Sequence, residues 1–318
     1  MTLSQPHLTQ IEGLTREDVT LLLDTARSFV EVNERALKKV PVLRGRTVAM
    51  LFFENSTRTR LSFELAAKRL SADTLSFSAS GSSVQKGETL MDTARNIEAM
   101  GPDLVVVRHF HAGAAHMLAR AMSGAIVNAG DGQHEHPTQA LLDAYTLLDR
   151  WQRTPAQGLS GKTVAVIGDI ARSRVARSNM LCLKLLGATV RVAGPRSMLP
   201  AGLEQYGVDV TSDADAALEG VDAVMMLRIQ KERLASATMG TDRDYARGWG
   251  LTKDRFARLP KHALVMHPGP INRGVEIDSD VADDARSVIL EQAENGVAVR
   301  MAVLYLLAVR HAKVEPPP

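Results

Sequence analysis

The chain of 318 residues has one cysteine, few aromatic residues (4%) and a formal net charge of only +2. A single cysteine, Cys182, excludes an intramolecular disulfide framework, and its place in an apolar, helix-like run predicts a packing role. The small net charge gives no global indication of nucleic acid or an anionic membrane as a partner. No apolar stretch reaches the length of a membrane span, and the first residues lack the apolar core of a signal peptide. We therefore expect a cytoplasmic protein that binds neither nucleic acid nor membrane.

Signatures of nucleotide and metal chemistry are also missing. No Walker lysine motif occurs, and the loop at Gly168 has one glycine where a dinucleotide site has three. His134 and His136 alternate in one loop without a cysteine or a third-ligand pattern, so we predict no metal site there. His109 and His111 are interpreted in the same way, as surface or packing residues. The sequence thus predicts that neither a cofactor nor a metal is needed.

Apolar segments of strand length alternate with amphipathic helical patterns along the chain. The alternation stops at a polar joint, 149–158, and then starts again. Such alternation predicts an α/β protein with two similar parallel-sheet domains. The predicted strands are 47–53, 74–77, 104–108, 125–128, 163–167, 189–193, 223–227 and 263–266. The predicted helices are 15–32, 58–70, 89–100, 114–122, 137–148, 173–186, 200–206, 213–218, 254–259 and 288–311.

These patterns place a first domain at 1–148 and a second at 149–287. The last helix, about 288–311, is apolar on most of its faces, so we expect it to be buried and to pack back on the first domain. Helices then join the two domains. Because ligands of open parallel sheets bind beyond the carboxyl ends of the strands, we expect the active site in the cleft between the domains. The stretch 236–250 predicts no particular element.

The most informative segment follows the first predicted strand. Ser56 and Thr57 fall where a buried strand ends and a helix begins, and there the unpaired backbone N–H groups and the helix dipole favour an anion. Thr59 supplies a third hydroxyl group, and Arg58 supplies a guanidinium group that can bind a phosphate through two bonds. An ordinary helix cap with a solvated basic face is the alternative. Four donors in so short a stretch favour a phosphate site.

Cationic and amide-bearing side chains also follow most of the other predicted strands. They are Arg108, His136, Gln139, Arg174, Arg228 and Gln230. A structural accident would scatter such residues evenly over the surface. Their concentration after strands predicts a small, highly anionic substrate.

A polar loop, 78–88, contains a single cation, Lys86, just before a predicted helix. One interpretation is a solvated loop. The other is a lid that brings Lys86 and Ser82 onto a phosphate and excludes water from it.

Seven motifs, in this order, resemble those of the aspartate/ornithine carbamoyltransferase family. They are 53–60, 86–89, 107–109, 136–139, the Gly168 loop with Arg174, 228–233 and 267–270. The resemblance implies transfer of the carbamoyl group of carbamoyl phosphate to the amino group of L-aspartate. N-carbamoyl-L-aspartate and phosphate are then the products, in pyrimidine (UMP) biosynthesis. A homotrimer with shared active sites is also implied, with a regulatory chain or a dihydroorotase-type enzyme as a further partner.

The resemblance implies roles for single positions. The phosphate would be bound by Ser56, Thr57, Arg58 and Thr59, with Ser82 and Lys86 from a neighbouring subunit. The carbonyl oxygen would be held by Thr59, Arg108 and His136, which with Arg58 form the catalytic set. The carbamoyl NH₂ would be held by Gln139 and by backbone carbonyls near Gly269 and Pro270. The aspartate carboxylates would be bound by Lys86, Arg174, Arg228 and Gln230.

Two alternatives remain. Ornithine carbamoyltransferases share the phosphate half, but an arginine at position 228 would repel the side-chain ammonium of ornithine and attract a carboxylate. A catalytically silent, anion-binding paralogue would be expected to have lost part of the catalytic set, which is complete here. We also expect Glu54 to pair with Arg174 or Arg233 when the domains close.

Overall fold

The computed structural model describes residues 2–78, 88–229 and 241–312. The chain divides into two compact units: unit 1 is Met1–Tyr145 with Glu294–Pro318, and unit 2 is Thr146–Ala293. Each unit contains one parallel sheet, and helices alternate with the strands. The predicted fold class, two parallel-sheet α/β domains, is confirmed.

Unit 1 is built on a parallel sheet whose strand order, in the described residues, is β2-β1-β3-β4. The strands are β1 (Thr47–Phe52), β2 (Asp73–Ser78), β3 (Leu104–His109) and β4 (Ala125–Asp131). The helices are α1 (Arg16–Glu34), α2 (Thr57–Arg69), α3 (Leu90–Glu98), α4 (Ala114–Ala121) and the first part of α5 (Pro137–Arg150). β1 and β3 are buried almost throughout, which explains why they look like continuous apolar runs in the sequence.

Unit 2 has a second parallel sheet, of order β7-β6-β5-β8-β9 in the described residues. The strands are β5 (Thr163–Ile167), β6 (Thr189–Ala193), β7 (Asp209–Thr211), β8 (Ala223–Met226) and β9 (Leu264–Met266). The helices are α6 (Arg174–Leu185), α7 (Ala214–Leu218), α8 (Asp242–Trp249), α9 (Lys253–Arg258) and α10 (Ser279–Ala282). The last helix, α11 (Ile289–Ala312), belongs to unit 1 from Glu294 onward.

The register of each sheet brings the carboxyl ends of neighbouring strands together. In unit 1, Phe52 at the end of β1 pairs with Arg108 of β3. In unit 2, Ile167 at the end of β5 pairs with Met226 at the end of β8. The segments that follow these strands therefore leave from one edge of each sheet, where ligands of such folds bind.

The pattern at 200–206 is wrong as a prediction of a helix, because the segment forms only a 3₁₀ turn at Leu203–Tyr206. Gly202 and Gly207 bound that turn with positive φ angles, which end helical geometry on both sides.

Three of the numbered elements were not predicted: β7, α8 and α10, the last of which has only four residues. β7 has three residues and no fully buried side chain, so it carries no apolar pattern. α8 lies within the unassigned stretch 236–250 and buries only Tyr245, so a helical apolar face is missing from its sequence.

α11 is the longest helix of the described residues, and most of its side chains from Val297 to Ala308 are buried. Arg300 is a charged residue in the middle of this apolar stretch, and it is buried as well. Within the described ranges, no helix combines the length and the apolar character that crossing a membrane requires.

Candidate active site

The amino end of α2 lies at the predicted phosphate site. Ser56 is the N-cap residue with an extended backbone, but its side chain makes no capping bond to the helix. Instead, Ser56 Oγ donates to Thr59 Oγ1 at 2.9 Å. Thr59 is buried, whereas Thr57 and Arg58 are exposed. Because the first amides of a helix need acceptors and carry a partial positive charge, this helix start is suited to bind an anion.

Arg108 is held beside this helix start by two bonds. Its Nη1 donates to the carbonyl oxygen of Ala129 at 3.1 Å, and its Nη2 donates to the Glu54 carboxylate at 2.6 Å. The backbone joins the same region, since Phe53 N donates to the Arg108 carbonyl at 2.8 Å. Only 12% of the Arg108 side chain is exposed. A positive charge fixed in a mostly buried place is suited to stabilise negative charge that develops on an oxygen.

The partner of Glu54 differs from the expected one. We expect Glu54 to pair with Arg174 or Arg233, whereas in this structure its carboxylate pairs with Arg108. Arg233 lies outside the described residues. The pairing on closure stays a prediction, and in this structure Glu54 orients the Arg108 guanidinium.

His136 and Gln139 lie at the start of α5, and both side chains are buried. The carbonyl of His136 accepts a bond from Gln139 N at 3.0 Å, so His136 is at the first turn of the helix. Gln139 Nε2 donates to Asp143 Oδ1 at 2.9 Å. Because an ionised carboxylate only accepts hydrogen bonds, this contact fixes which way the amide faces. Gln139 Oε1 is then the end of the amide that can accept a bond from an NH₂ group.

A buried charged network that the sequence did not indicate supports Gln139. Asp143 is fully buried and interacts electrostatically with Arg300 of α11. Burial lowers the pKa of Arg300 to about 10, against the opposing effect of Asp143. Arg300 Nη1 donates to Ser62 Oγ at 2.7 Å, and its guanidinium lies 5.1 Å from the centre of the Phe63 ring. α11 therefore links the helix of Gln139 to the helix that begins at the phosphate site.

Arg174 and Arg228 follow two neighbouring strands of unit 2. Arg174 is the first residue of α6, after β5, and Arg228 comes shortly after the end of β8. Arg174 is buried and Arg228 is half-buried. Since β5 and β8 are paired through their last residues, both segments leave from the same sheet edge. Two guanidinium groups at one edge are suited to bind carboxylates.

The single glycine of the 168–174 loop has a packing role. Gly168 has φ of 140°, and a Cβ there would lie 2.9 Å from the Cβ of Leu227. The loop is further fixed by Asp169, which is fully buried and accepts bonds from the backbone N and from Nη1 of Arg172. Gly168 thus allows two strand-end segments to approach closely, and no nucleotide site is needed to explain it.

The segment after β9 is held by His267 and Glu276, whose side chains are fully buried. His267 Nδ1 accepts from Gly269 N at 2.8 Å, so the ring carries its proton on Nε2, which faces Glu276 Oε1 at 3.2 Å. The same carboxylate oxygen accepts from Asn272 N at 2.6 Å. This network holds the backbone near Gly269 and Pro270, whose carbonyls we expect to bind an NH₂ group.

The structure places most of the predicted site residues at the carboxyl ends of strands. In unit 1 they are Ser56, Thr57, Arg58, Thr59, Arg108, His136 and Gln139. In unit 2 they are Arg174, Arg228, Gly269 and Pro270. Ser82, Lys86 and Gln230 lie outside the described residues, so their roles stay predictions.

Family models match both units of the chain. The aspartate/ornithine carbamoyltransferase carbamoyl-P binding domain matches residues 6–149, and the Asp/Orn binding domain of the same enzymes matches residues 160–307. Together with the two parallel-sheet units and the cationic and hydroxyl groups at their edges, these matches define the class of protein. The chain belongs to the aspartate/ornithine carbamoyltransferase family.

Within this family, the relatives of high identity are of the aspartate type. The aspartate carbamoyltransferase catalytic subunit of Acidothermus cellulolyticus is 56% identical over 301 residues, which cover 95% of this chain and 92% of the relative. That of Desulfosudis oleivorans is 54% identical over 307 residues, covering 96% and 97%. The resemblance inferred from the seven motifs is confirmed.

Solved structures of both activities share the fold. Trypanosoma cruzi aspartate transcarbamoylase in complex with carbamoyl aspartate and phosphate has a TM-score of 0.83 at 30% identity, covering 94% of this chain and 95% of that one. Ornithine carbamoyltransferase from Pyrococcus furiosus has a TM-score of 0.85 at 28% identity, covering 96% and 98%. The fold alone therefore does not distinguish the acceptor, and the sequence identity favours aspartate.

Proposed function

We propose that the chain transfers the carbamoyl group of carbamoyl phosphate to the amino group of L-aspartate, forming N-carbamoyl-L-aspartate and phosphate. The observation that carries this proposal is the placement of Arg174 and Arg228 at one sheet edge of unit 2, in addition to the phosphate site of unit 1. Two guanidinium groups attract an acceptor with two carboxylates. They would repel the side-chain ammonium of ornithine. The relatives of 54–56% identity carry the same activity in their names.

In this proposal, the amino end of α2 binds the phosphate of carbamoyl phosphate. Ser56, turning its O–H away from Thr59, and Thr57 donate their hydroxyl groups. Thr59 donates its backbone N–H, which leaves its hydroxyl group for the carbonyl oxygen, and Arg58 adds a guanidinium. The helix dipole and the first backbone amides favour the same anion. Ser82 and Lys86 of a neighbouring subunit complete the phosphate site.

The reaction at the carbamoyl carbon needs an oxyanion site and a proton acceptor. The lone pair of the amine forms the new C–N bond, and negative charge develops on the carbonyl oxygen, which Thr59, Arg108 and His136 hold. One such donor can be worth about 3 kcal/mol in the transition state. The C–O bond to the phosphate then breaks, with its electron pair leaving on the phosphate. The leaving phosphate takes the amine proton, so no separate general base is needed.

The two remaining groups of contacts orient the substrates. Gln139 Oε1 and the backbone carbonyls near Gly269 and Pro270 accept bonds from the carbamoyl NH₂. Lys86, Arg174, Arg228 and Gln230 bind the carboxylates of aspartate. Holding two reactants in place in this way can lower the barrier by up to about 7–11 kcal/mol. The reaction requires no cofactor and no metal ion.

We also propose a cytoplasmic homotrimer with shared active sites that serves UMP biosynthesis. The exposed apolar residues of unit 1 include Leu61 and Leu65 on α2 and Leu75 on the edge strand β2. Exposed apolar residues near one another in the chain are typical of a subunit interface. A regulatory chain or a dihydroorotase-type enzyme is the further partner that the resemblance implies.

The activity is tested by incubating the purified full-length protein with carbamoyl phosphate and either L-aspartate or L-ornithine. The expected result is carbamoyl aspartate and phosphate in equal amounts with aspartate, and no citrulline with ornithine. Formation of citrulline, or no carbamoylated product with either acceptor, would overturn the proposal.

The shared site is tested by mixing two inactive variants. Lys86→Ala and Arg58→Ala proteins are dissociated together and allowed to reassemble. In a homotrimer with shared sites, some hybrid sites carry neither substitution, so part of the activity returns. If the mixture stays as inactive as each variant alone, Lys86 does not act from a neighbouring subunit.

A further inference from the structure

Five of the nine histidines fall within a short part of the chain, and the proposed reaction uses one of them, His136. They are His109, His111, His116, His134 and His136. Two of the others, His116 and His134, lie close to Asp131: one ligand atom from each of these three residues lies within 4.8 Å of the other two. His116 is on α4, Asp131 ends β4, and His134 is in the turn before α5. Three elements of unit 1 therefore meet at this cluster.

The carboxylate of Asp131 is fixed in place by backbone and amide donors. Oδ1 accepts from Asn128 Nδ2 at 2.7 Å and from Glu135 N at 3.2 Å, and Oδ2 accepts from Gly113 N at 2.7 Å. Asp131 itself is 1% exposed. Because each carboxylate oxygen can accept two bonds, Oδ2 keeps capacity beyond the bond from Gly113. The group is thus preorganised as a ligand by contacts that do not depend on an ion.

The distances suit an ion bound by all three residues. His134 Nδ1 lies 3.2 Å from each oxygen of the Asp131 carboxylate. Two ligands at 2.0–2.1 Å from a tetrahedral zinc ion are about 3.3 Å apart, so this pair already has the required spacing. The rings of His116 and His134 are inclined at 67° with their centroids 5.5 Å apart. His116 offers a nitrogen within 4.8 Å of the other two ligand atoms, so its half-buried side chain must come closer when an ion binds.

We propose that His116, Asp131 and His134 form a binding site for a divalent cation of the zinc type, distinct from the catalytic residues. Two imidazoles and a carboxylate are a donor set that zinc uses, with a fourth position left for water. His116 and His134 are half-buried, so that position faces solvent. On binding, the ion replaces the proton between His134 Nδ1 and the carboxylate, and that proton goes to Nε2 of a neutral ring or to solvent from a protonated one. The ion joins α4 to the turn that leads to His136.

The charge of Asp131 favours a cation at this cluster, and the charge of Arg120 disfavours one. The three residues include one carboxylate, that of Asp131, whose negative charge favours a cation at the cluster. Burial raises the pKa of Asp131, but hydrogen bonds from His134, Asn128 and Gly113 outweigh burial and keep the carboxylate ionised. Arg120 on α4 also acts on His116, and its positive charge opposes a cation.

This site is not the pair of His134 and His136 that the sequence analysis excludes. The alternating pair His134 and His136 lacks a third ligand in its own loop, and that pair is still expected not to bind a metal. The proposed site takes its third ligand, His116, from α4, which precedes this loop in the sequence. Only the fold brings His116 close to Asp131 and His134.

The site is tested on the full-length protein after removal of metals with a chelator. Zn²⁺ is titrated calorimetrically near neutral pH, and Co²⁺ is added in parallel to observe the visible absorption of a tetrahedral site. We expect one ion per chain. The variants His116→Asn and His134→Asn should each bind Zn²⁺ at least tenfold more weakly, because loss of even an outer-sphere partner costs about 10–100-fold. Arg120→Gln should bind it more tightly.

The matched control is His262→Asn, because His262 Nε2 lies 3.3 Å from Asp222 in a histidine–carboxylate pair of unit 2. This variant should bind zinc as the unchanged protein does. Asp131 is left intact, since its carboxylate holds the surrounding backbone, and circular dichroism of the two histidine variants verifies their fold. Absence of zinc binding at millimolar concentration, or one ion bound with unchanged affinity by both variants, would overturn the proposal.

Discussion

The two halves of the proposed site are built in different ways. In unit 1, the groups lie at the ends of regular elements: the start of α2, the end of β3 at Arg108, and the start of α5 at His136. In unit 2, the loop to Arg174 and the segment 267–270 are shaped by buried polar groups, Asp169 and the pair of His267 with Glu276. A site made from element ends is tied to the fold, whereas a loop site can change while the fold stays. One family can therefore keep the carbamoyl phosphate half and serve two acceptors, as the description of its second domain indicates.

The largest expected effect is at the fixed cation of unit 1. We expect Arg108→Ala to lower kcat by about 10²- to 10³-fold, because the variant loses a preorganised donor to the developing oxyanion. The affinity for aspartate should change little. Steady-state kinetics with both substrates varied measures the two effects separately.

Arg46→Ala is the control for this prediction. Arg46 pairs with Asp103 at the opposite end of the same sheet, so it tests the loss of an arginine without the loss of the site. A partly exposed pair of this kind contributes little to stability, at most about 1 kcal/mol. Equal losses of kcat in the two variants would mean that the sheet, rather than the site, is responsible.

In unit 2, the corresponding change should affect binding of the acceptor. We expect Arg228→Gln to raise KM for aspartate by about 10- to 100-fold, since a hydrogen bond to a charged group is worth about 1.5–3 kcal/mol. KM for carbamoyl phosphate should stay within a factor of about two, because the phosphate half lies on separate elements. A uniform rise of both KM values would contradict the division into two halves.

The part of the site that could be predicted is the part that lies in local sequence motifs. The strand-to-helix junction at Ser56 and the arginine at the end of β3 are local in sequence, so pattern and motif were sufficient to find them. The supports of the site were not found, because their residues meet only in the fold: Arg300 and Ser62 are far apart in the chain, and an irregular segment joins His267 to Glu276. Arg300 reaches Ser62, and Glu276 reaches His267, only after the fold has formed.

The missed supports still leave a signal in the sequence. Arg300 is a charged residue in the middle of a helix that is apolar on most faces, and such a residue must find a buried partner. That argument predicts a partner but does not name it. α8 gives no comparable signal, because it buries a single side chain.

Glu276 tests whether buried polar groups shape the acceptor half. Glu276→Leu leaves the Nε2–H of His267 and the N–H of Asn272 without their acceptor in a buried place, so we expect a loss of about 1–3 kcal/mol in the free energy of unfolding. Glu276→Gln keeps an acceptor oxygen and should lose less. Urea unfolding measures both, and kcat should fall in the same order, because the carbonyls near Gly269 and Pro270 shift. Equal stability of the two variants would show that the hydrogen bonds are not the cause.

The smallest expected effect concerns acid, and it should be concentrated in unit 1. Burial lowers the pKa of His7, with further lowering by His311 and Arg310, and His7 Nδ1 accepts a bond from Ile126 N at 3.1 Å. The folded pKa lies below the ordinary value of 6.5, so the unfolded state binds the proton first as the pH falls. The stability that this group contributes is therefore present above about pH 6.5 and is lost as the pH falls toward the folded pKa. Burial and the charge of His111 lower the pKa of His109 as well, so the stability that His109 contributes is also lost as the pH falls.

Hydrogen exchange followed by mass spectrometry can assign this loss to a unit. From about pH 7 to about pH 5, after correction for the intrinsic exchange rate, the amides of β4 should lose protection before those of β5. The matched variant is His7→Asn, whose side-chain oxygen can still accept the bond from Ile126 N but does not titrate. It should reduce the pH dependence in β4 and leave β5 unchanged. Since the two units are built on separate sheets, an equal loss in β4 and β5 would mean that the chain opens as one cooperative body and that the contrast between the halves does not extend to their stability.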